Sequence, residues 1–504
     1  MIFLTLVFVV FVTFYLYVQH CHSYWKKRQI PTLKPTFLVG NLWETLIGTK
    51  NFMVPVIESC RKFKDYKYIG FYKCLTPTLI INDLELIGQV MVKDFNHFED
   101  NVVEVSADTD YLMAKNLFSL KGHHWKSVKA LISPMFTAGK LKLVFPLMDD
   151  TAQKLIKYLN KRVQDGRHHC VDGKYLAHQF TTENVANCAF GLTAQAFDSE
   201  KSEFVDVARD FGTPSFTQSL KLNILFMMPA LGKYLSVGFF SKYVQNYLID
   251  VVTQTIRYRK ENNIIRNDYL DLISQLKEKS KEYKFDDRDV AAQAASFFGD
   301  GIETSSVVIC YNLFEIAKHS EVQNKIREEI QLVRQKHNDC ITYEAILDMT
   351  YLDCVVTETM RLDTPMMVLF KTCTKTYEFP SPKGNIPGVI VHPGDPICIP
   401  VEALHRNEEY FPEPDKFIPE RFAKENKSNI KNFTYLPFGE GPRFCVGMRF
   451  GILQVKMALV HILSNFHVKN NAKMPETPLV DPGTFMRMPI GGFWFDFEPI
   501  QSKT

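Results

Sequence analysis

The residues best placed to do chemistry lie in one loop near the C-terminal end of the chain. The pattern Phe438-x-x-Gly441-x-Arg443-x-Cys445-x-Gly447 sets a lone cysteine among glycines, with an arginine two residues before it. Glycines let a backbone pass close to a metal and offer amide hydrogen bonds to a sulfur ligand, and an arginine can neutralise a carboxylate. An inert packing cysteine would need none of these neighbours. We therefore predict that Cys445 is the thiolate ligand of a haem iron, a ligand that favours O–O cleavage.

One long predicted helix offers a second set of reactive side chains. Residues 290–317 are apolar around most of the circumference, as expected for a helix that crosses a protein interior, and Asp286 and Asp287 can cap its polar first turn. Its middle, FFGDGIETSS, holds two glycines, each costing about 1 kcal/mol relative to alanine in a helix. Two glycines and two acids in a buried helix therefore need an explanation beyond packing.

The elements that must position these residues are mostly helices. Helical periodicity dominates the middle of the chain, and strand-like sequence is confined to short pieces. The helical stretches are 140–160, 246–279, 287–318, 321–337 and 347–362, and the strands are 68–72, 78–81, 389–391 and the final GGFWFDFEP. We therefore predict a mainly α fold with a minor β region. No repeat or long flexible linker divides the chain after about residue 51, which indicates one catalytic unit.

The N-terminal segment differs from the rest of the chain. Residues 2–18 form an unbroken apolar run, and the basic cluster Lys26, Lys27 and Arg28 follows it. A cleaved signal peptide is the alternative, but its positive leading segment and its small-residue cleavage site are both missing. We predict a single transmembrane helix as a membrane anchor at 1–25, a basic and proline-containing linker at 26–50 and a haem-thiolate catalytic domain at 51–504, with everything after the anchor on the cytosolic side.

Composition excludes two classes of protein. The 504-residue chain is 46% apolar and has a formal net charge of +3, which is too small to indicate a nucleic-acid partner. Its 11 cysteines are an odd number without CxxC pairs. This usage is unlike a secreted disulfide framework and favours a reducing compartment.

Taken together, these patterns resemble the cytochrome P450 family over essentially the whole chain. The loop around Cys445 matches one family motif, and Glu358-x-x-Arg361 matches another, with two side chains that can pair on one helix face. The segment PDKFIPERF resembles the one whose arginine, here Arg421, completes a buried structural network behind the haem. Alone, Glu358 and Arg361 would be an ordinary surface pair. The resemblance implies the cytochrome P450 fold, with haem b (iron protoporphyrin IX) as cofactor.

The sequence Asp300-Gly301-Ile302-Glu303-Thr304 resembles the family's distal helix, which kinks over the iron. By this resemblance Thr304 would hydrogen-bond dioxygen and a water, Glu303 would relay protons, and both join Asp300 as candidate catalytic residues. A lone threonine in mid-helix usually bonds its own backbone. Asp300 departs from the family's usual alanine or glycine. It could be esterified to the haem, as glutamate is in fatty-acid ω-hydroxylases, contact substrate or water, or turn toward backbone or a neighbouring polar group.

The resemblance also implies residues that hold the haem and the substrate. Trp125-x-x-x-Lys129 stands where the family usually has an arginine against a haem propionate, and Lys371 stands at a second such place. Because lysine lacks the fork of arginine, haem binding would depend more on Arg443. The pattern MRLDTP replaces the usual aromatic-Pro-Pro ending with Asp363 and Thr364. The expected cofactor contacts are Cys445, Arg443, Trp125, Lys129, Lys371, Phe438 and Gly447, and the expected apolar pocket residues are Phe118, Phe297, Phe298, Met367, Val368, Leu369, Phe485 and Met486.

The resemblance predicts a monooxygenase that inserts one oxygen atom of O2 into lipophilic substrates, xenobiotics or endogenous lipids and hormones. Segments such as ALISPMFTAGKLK are similar to microsomal detoxification enzymes of insects. The implied partners are NADPH-cytochrome P450 reductase, cytochrome b5 and the endoplasmic reticulum membrane, with no nucleic acid. Two alternatives stay open, namely a haem protein that binds hydrophobic ligands without turnover and a narrow biosynthetic steroid or fatty-acid hydroxylase.

Overall fold

The computed structural model describes residues 2–164, 170–198, 202–212, 215–279 and 286–500. Within these ranges the α-helices are α1 (Ile2–His22), α2 (Tyr24–Lys27), α3 (Trp43–Leu46), α4 (Val54–Lys62), α5 (Leu84–Gly88), α6 (Tyr111–Lys115), α7 (Gly122–Ile132), α8 (Ala138–Gln164), α9 (Gly173–Val185), α10 (Glu203–Gly212), α11 (Phe216–Met227), α12 (Pro229–Tyr234), α13 (Lys242–Asn262), α14 (Tyr269–Lys279), α15 (Asp287–Lys318), α16 (Ser320–Lys336), α17 (Tyr343–Asp348), α18 (Thr350–Leu362), α19 (Val401–His405) and α20 (Met448–Asn465).

The strands are short and form three small sheets. They are β1 (Tyr68–Lys73), β2 (Thr76–Ile81), β3 (Asp100–Asn101), β4 (Cys170–Asp172), β5 (Leu369–Thr372), β6 (Tyr377–Phe379), β7 (Val389–Val391), β8 (Pro396–Ile399), β9 (Phe466–Asn470) and β10 (Trp494–Pro499). The largest sheet has the order β1-β2-β8-β5-β3, the second β4-β10-β9, and the third pairs β6 with β7. The predicted mainly α fold with a minor β region is confirmed.

The central helix α15 organises the core. Asp286 accepts a hydrogen bond from the amide of Asp289 at 2.8 Å, and Asp289 accepts one from the amide of Asp286 at 3.2 Å. This reciprocal capping fixes the start of the helix where the sequence predicts it. The helix then packs against α9, α13, α18 and α20, and most of its side chains are buried.

One predicted helix is two helices in the structure. The stretch 246–279 divides because Asn263 adopts the left-handed conformation, with φ of 53°, and ends α13. Asparagine tolerates this conformation better than most residues, so it serves as a helix stop in place of glycine. The chain then turns back, and α14 brings Tyr269 toward α15.

The N-terminal helix α1 is long and apolar enough to cross a membrane. It leads directly into Trp25, which is buried against strand β1. A side chain on Gly70 would lie 2.5 Å from Cδ1 of this indole, and the indole Nε1 donates to the carbonyl of Phe71 at 3.0 Å. The segment predicted as a linker thus begins beside a packed residue, and its Thr32 and Gly40 form β-bridges to β1.

Candidate functional site

A cavity of about 360 Å³ lies between α15 and the loop that carries Cys445. Its size is in the range of small-molecule sites. Most residues that the sequence nominates for catalysis, cofactor and pocket reach its wall. They are Phe118, Trp125, Lys129, Phe297, Asp300, Thr304, Val368, Leu369, Lys371, Phe438, Arg443, Cys445, Gly447 and Phe485.

The cysteine loop is shaped so that its sulfur faces this cavity. The amide of Cys445 donates to the carbonyl of Phe438 at 2.9 Å, which closes the loop. Burial raises the pKa of the Cys445 thiol to about 11, while hydrogen bonds from the backbone amides of Gly447 and Met448 lower it in part. Those amides are the donors that a sulfur ligand to a metal requires, and a bound cation would deprotonate the thiol.

Gly441 is needed where this loop passes the backbone of the segment that contains Met91. Its φ is +71°, and a Cβ at this position would overlap the carbonyl oxygen of Met91 and lie 3.0 Å from the carbonyl carbon. Only glycine combines this conformation with so close an approach. The glycine therefore positions the loop, and through it Cys445.

Three cations share one edge of the cavity. Burial, with Arg443 adding repulsion, lowers the pKa of Lys371 to about 7, and the same two causes lower the pKa of Lys129. Burial lowers the pKa of Arg443 to about 10, and nearby Asp100 and Glu99 offset this only in part. Burial and mutual repulsion thus disfavour the charged forms of these groups, and a bound anion would favour them. The cluster fits a ligand with two carboxylates, as haem has.

Arg443 is held by the main chain from several directions. Its guanidinium donates to the carbonyls of Glu99 at 2.7 Å and Leu120 at 2.8 Å, and it stacks 4.0 Å above the ring centroid of Trp125. Lys129, one helical turn after Trp125 on α7, donates to the carbonyl of Pro442 in the cysteine loop. Trp125 therefore helps to position Arg443 and Lys129, which the sequence analysis predicts to bind the cofactor.

Behind the loop, the predicted structural residues meet in a network whose central pair is fully buried. Arg361 and Glu358 form two hydrogen bonds, of 2.7 and 2.8 Å, and neither side chain is exposed. Arg421 Nε lies 3.3 Å from the same carboxylate. Arg361 also donates to the carbonyls of His405 and Pro414. Because every donor finds an acceptor, the pair can remain charged in the interior and fix the surrounding segments.

His405 is a structural residue that sequence reasoning missed. Its Nε2 accepts from the amide of Leu436 at 2.9 Å, and its Nδ1 lies 3.1 Å from the carbonyl of Arg361. Burial, and then the charge of Arg361, lower its pKa to about 3, so the ring is neutral and Nδ1 carries the proton. It links the Glu358 network to the chain entering the cysteine loop. A lone histidine at the end of a short helix gave no signal of this role.

On the opposite wall, α15 presents Thr304 and Gly301. The Thr304 hydroxyl donates to the carbonyl of Asp300, the local bond that a mid-helix threonine usually makes. The carbonyl of Gly301 accepts a hydrogen bond from Gln454 of α20 at 2.9 Å, and Gln454 in turn accepts from Asn184 at 2.7 Å. Gln454, which the sequence did not single out, thus ties the centre of α15 to two neighbouring helices.

Glu303 does not face the cavity. Its carboxylate is buried on the flank of α15, where Oε1 lies 2.8 Å from Nε2 of His178 on α9. Gly212 leaves room for it, since a Cβ there would lie 2.8 Å from the carboxylate carbon. A proton relay through Glu303 would therefore have to pass between helices rather than along the cavity wall.

Asp300 does face the cavity. Burial within the protein raises the pKa of its carboxyl to about 7. The side chain makes no hydrogen bond or ion pair with any of the described residues. Of the alternatives for this position, a carboxylate turned toward the backbone or a neighbouring polar group is therefore not what the structure shows.

Three of the expected pocket residues lie off the cavity wall. Phe298 packs into an aromatic cluster with Phe190 and Phe204, because its direction on α15 differs from that of Phe297. Met367 and Met486 are buried but do not line the cavity. In their place the wall includes side chains from distant segments that the sequence did not nominate, among them Phe226, Phe239, Phe240 and Tyr269.

The unusual Asp363 has a partner in the C-terminal segment. Arg487 lies 3.3 Å from Asp363 and also pairs with Glu402, and all three side chains are buried. The amide of Arg487 donates to the carbonyl of Pro365 at 2.9 Å. This cluster holds the segment that carries Phe485 against the cavity wall.

Comparison with known proteins agrees with this arrangement. The family model described as "Cytochrome P450" matches residues 30–494. The chain is 36% identical to cytochrome P450 9e2 of Blattella germanica, over 95% of this chain and 94% of that one. It is 35% identical to cytochrome P450 6j1 of the same insect, over 96% and 94%, and 34% identical to a probable cytochrome P450 6a13 of Drosophila melanogaster, over 93% of each. With a thiol, a cation edge and a threonine-bearing helix around one cavity, the chain belongs to the cytochrome P450 family of haem-dependent monooxygenases.

Proposed function

We propose that this P450 inserts one oxygen atom of O2 into lipophilic substrates, xenobiotics or endogenous lipids and hormones, with haem b as cofactor and electrons from NADPH. The observation that carries the proposal is the composition of the cavity. Cys445 occupies one wall and Thr304 the opposite one, and apolar side chains, phenylalanine most often, line most of the remainder. Such a surface favours apolar ligands because their burial releases them from water.

The chain's own residues have distinct tasks in this proposal. Cys445 would hold the iron, and Arg443, Lys129 and Lys371 would neutralise the haem carboxylates. When bound, the haem supplies the activation of dioxygen. Thr304 keeps its hydroxyl proton on the carbonyl of Asp300, so its oxygen can accept a hydrogen bond from a water in the cavity.

The electron donors and the location follow from the N-terminal segment and the relatives. Helix α1 would span the endoplasmic reticulum membrane once, and Lys26, Lys27 and Arg28 would stay on the cytosolic side with the catalytic domain. NADPH-cytochrome P450 reductase would deliver electrons there, and cytochrome b5 would serve as a second donor. The similarity to insect P450s favours this microsomal arrangement.

Reconstitution with a reductase tests the proposal. The haem-loaded protein should show the reduced-CO absorption band of a thiolate-ligated haem and form oxygenated products from a lipophilic panel only when NADPH is present. Cys445→Ser should abolish the band. The matched control Cys340→Ser alters an exposed cysteine and should keep it. A band without any product would favour a ligand-binding haem protein, and the absence of the band in the wild type would refute the proposal.

A further inference from the structure

Asp300 is the one acidic side chain among the described residues that line the cavity. The three cations of the cavity, Lys129, Lys371 and Arg443, are engaged at the other edge. Lys129 donates to the carbonyl of Pro442, Lys371 to Asn101 at 3.1 Å and Arg443 to main-chain oxygens. None of these cations pairs with Asp300, so the acid stands apart from the groups suited to haem carboxylates.

The carboxyl of Asp300 is poorly compensated where it stands. Among the described residues, burial raises the pKa of Tyr269 on α14 and of Cys445 across the cavity, and the charge of Asp300 raises both further. Asp300 faces the open cavity but is surrounded by protein, and a carboxylate in such a place without a partner is costly, as its raised pKa indicates. A positively charged ligand group beside it would remove the penalty, whereas an anionic group would increase it.

Aromatic side chains line much of the cavity that Asp300 faces. Phe297 lies one turn before it on α15, and Phe240 approaches the same helix so closely that a Cβ on Gly299 would lie 3.4 Å from its ring. Phe239 and Phe485 continue this wall and contact each other at 5.3 Å between ring centroids. Faces of aromatic rings attract ammonium groups, most strongly when both are removed from water. A cavity that offers one carboxyl and several phenylalanine faces is therefore complementary to an alkylated ammonium.

We propose that Asp300 makes this cavity selective for lipophilic substrates that carry a positively charged ammonium group. The inference rests on the proposed function in one respect, that substrates occupy the cavity beside the haem. Asp300 lies one helical turn before Thr304, about 6 Å along the helix, so an ammonium held there places the rest of the ligand near the reacting centre. Fatty-acid anions are disfavoured by the same charge.

The test uses a matched pair of ligands that differ only in charge. One is 4-phenylbutyltrimethylammonium, which is charged at every pH and cannot coordinate iron, and the other is (5,5-dimethylhexyl)benzene, in which carbon replaces nitrogen. Calorimetry on the haem-loaded protein gives both dissociation constants for wild type, Asp300→Asn and Asp300→Glu. The control Ser296→Ala removes an uncharged polar group from the same cavity-facing side of α15.

The wild type should prefer the ammonium ligand, and Asp300→Asn should lower that preference by about tenfold or more. Asp300→Glu should retain part of the preference, and Ser296→Ala should leave it unchanged. A variant that still binds the uncharged ligand is folded. If Asp300→Asn loses this affinity, Asp300→Ala takes its place in the comparison. An equal preference in wild type and Asp300→Asn would overturn the inference.

Two further results separate this inference from the proposed function and from covalent attachment. Calorimetry measures the preference for the ammonium ligand whether or not turnover occurs. A protein that forms no NADPH-dependent products would therefore refute the proposed function, while the calorimetric comparison would still decide the inference about Asp300. Mass spectrometry of the denatured holoprotein should show free haem. Haem esterified to Asp300 would overturn the inference, because the carboxylate would no longer be available to a ligand.

Discussion

Replacing Gly441 by alanine should destabilise the protein far more than the same change at Gly439. Both glycines lie in the cysteine loop with nearly equal φ, +71° and +70°, so each alanine carries a left-handed penalty of about 1–2 kcal/mol. At Gly439 the nearest atoms to the new Cβ are 3.7 Å away, which is ordinary contact. At Gly441 the Cβ overlaps the carbonyl of Met91, and forcing that backbone aside adds about 1–3 kcal/mol.

Urea unfolding of the two variants beside the wild type measures this difference. Gly439→Ala should lose about 1–2 kcal/mol and Gly441→Ala about 2–5 kcal/mol, because only the second displaces another segment. The reduced-CO band provides a second measure, since displacement of the loop should weaken thiolate ligation in Gly441→Ala alone. Equal losses of stability in the two variants would show that backbone conformation, and not the approach to Met91, explains the need for glycine.

Two other predictions concern buried charge. Arg487→Met removes the closest cation from Asp363 and Glu402, which keep only the longer contacts to Arg406 and Arg61, and should lower the free energy of unfolding by up to about 3–5 kcal/mol in a urea titration. Lys469→Met, which breaks an exposed pair, should cost less than about 1 kcal/mol, and similar losses would contradict the assigned role of the cluster. His405 has a folded pKa of about 3, below its unfolded value of about 6.5, so the unfolded state binds more protons between these values and stability falls as the pH falls. When the free energy of unfolding is measured from pH 6.5 to 4, the wild type should lose up to about 1.4 kcal/mol per pH unit more than His405→Gln. Parallel curves for the two proteins would contradict a neutral, buried His405 ring.

The parts of the site that the sequence could predict are those encoded within one short segment. The cysteine loop places its chemistry on consecutive residues, and Glu358 and Arg361 share a face by helical spacing. The same spacing could have corrected one expectation. At about 100° per residue, Glu303 lies about 100° from Thr304, while Asp300 lies only about 40° from Thr304, so Glu303 belongs to the flank of the helix.

The remaining parts depend on contacts between distant segments. Tyr269 reaches the cavity because the chain turns at Asn263 and folds back against α15, and Phe240 reaches it from the segment that precedes α13. His405 and Arg487 act through partners more than 30 residues away, and nothing in their local sequence indicates those partners. Such contacts are set by the packing of whole elements, which local pattern does not encode.

The burial of Trp25 limits how far the folded domain can lie from a membrane that contains α1. Helix α1 ends at His22, and only residues 23 and 24 separate it from the indole fixed on Gly70 and Phe71. Three residues span at most about 10 Å. If α1 is held in a membrane, the folded domain must therefore lie close to the membrane surface. A chain shortened to begin at residue 23 would keep Trp25 packed on strand β1. Removing Trp25 as well would expose the surface of β1 that it covers.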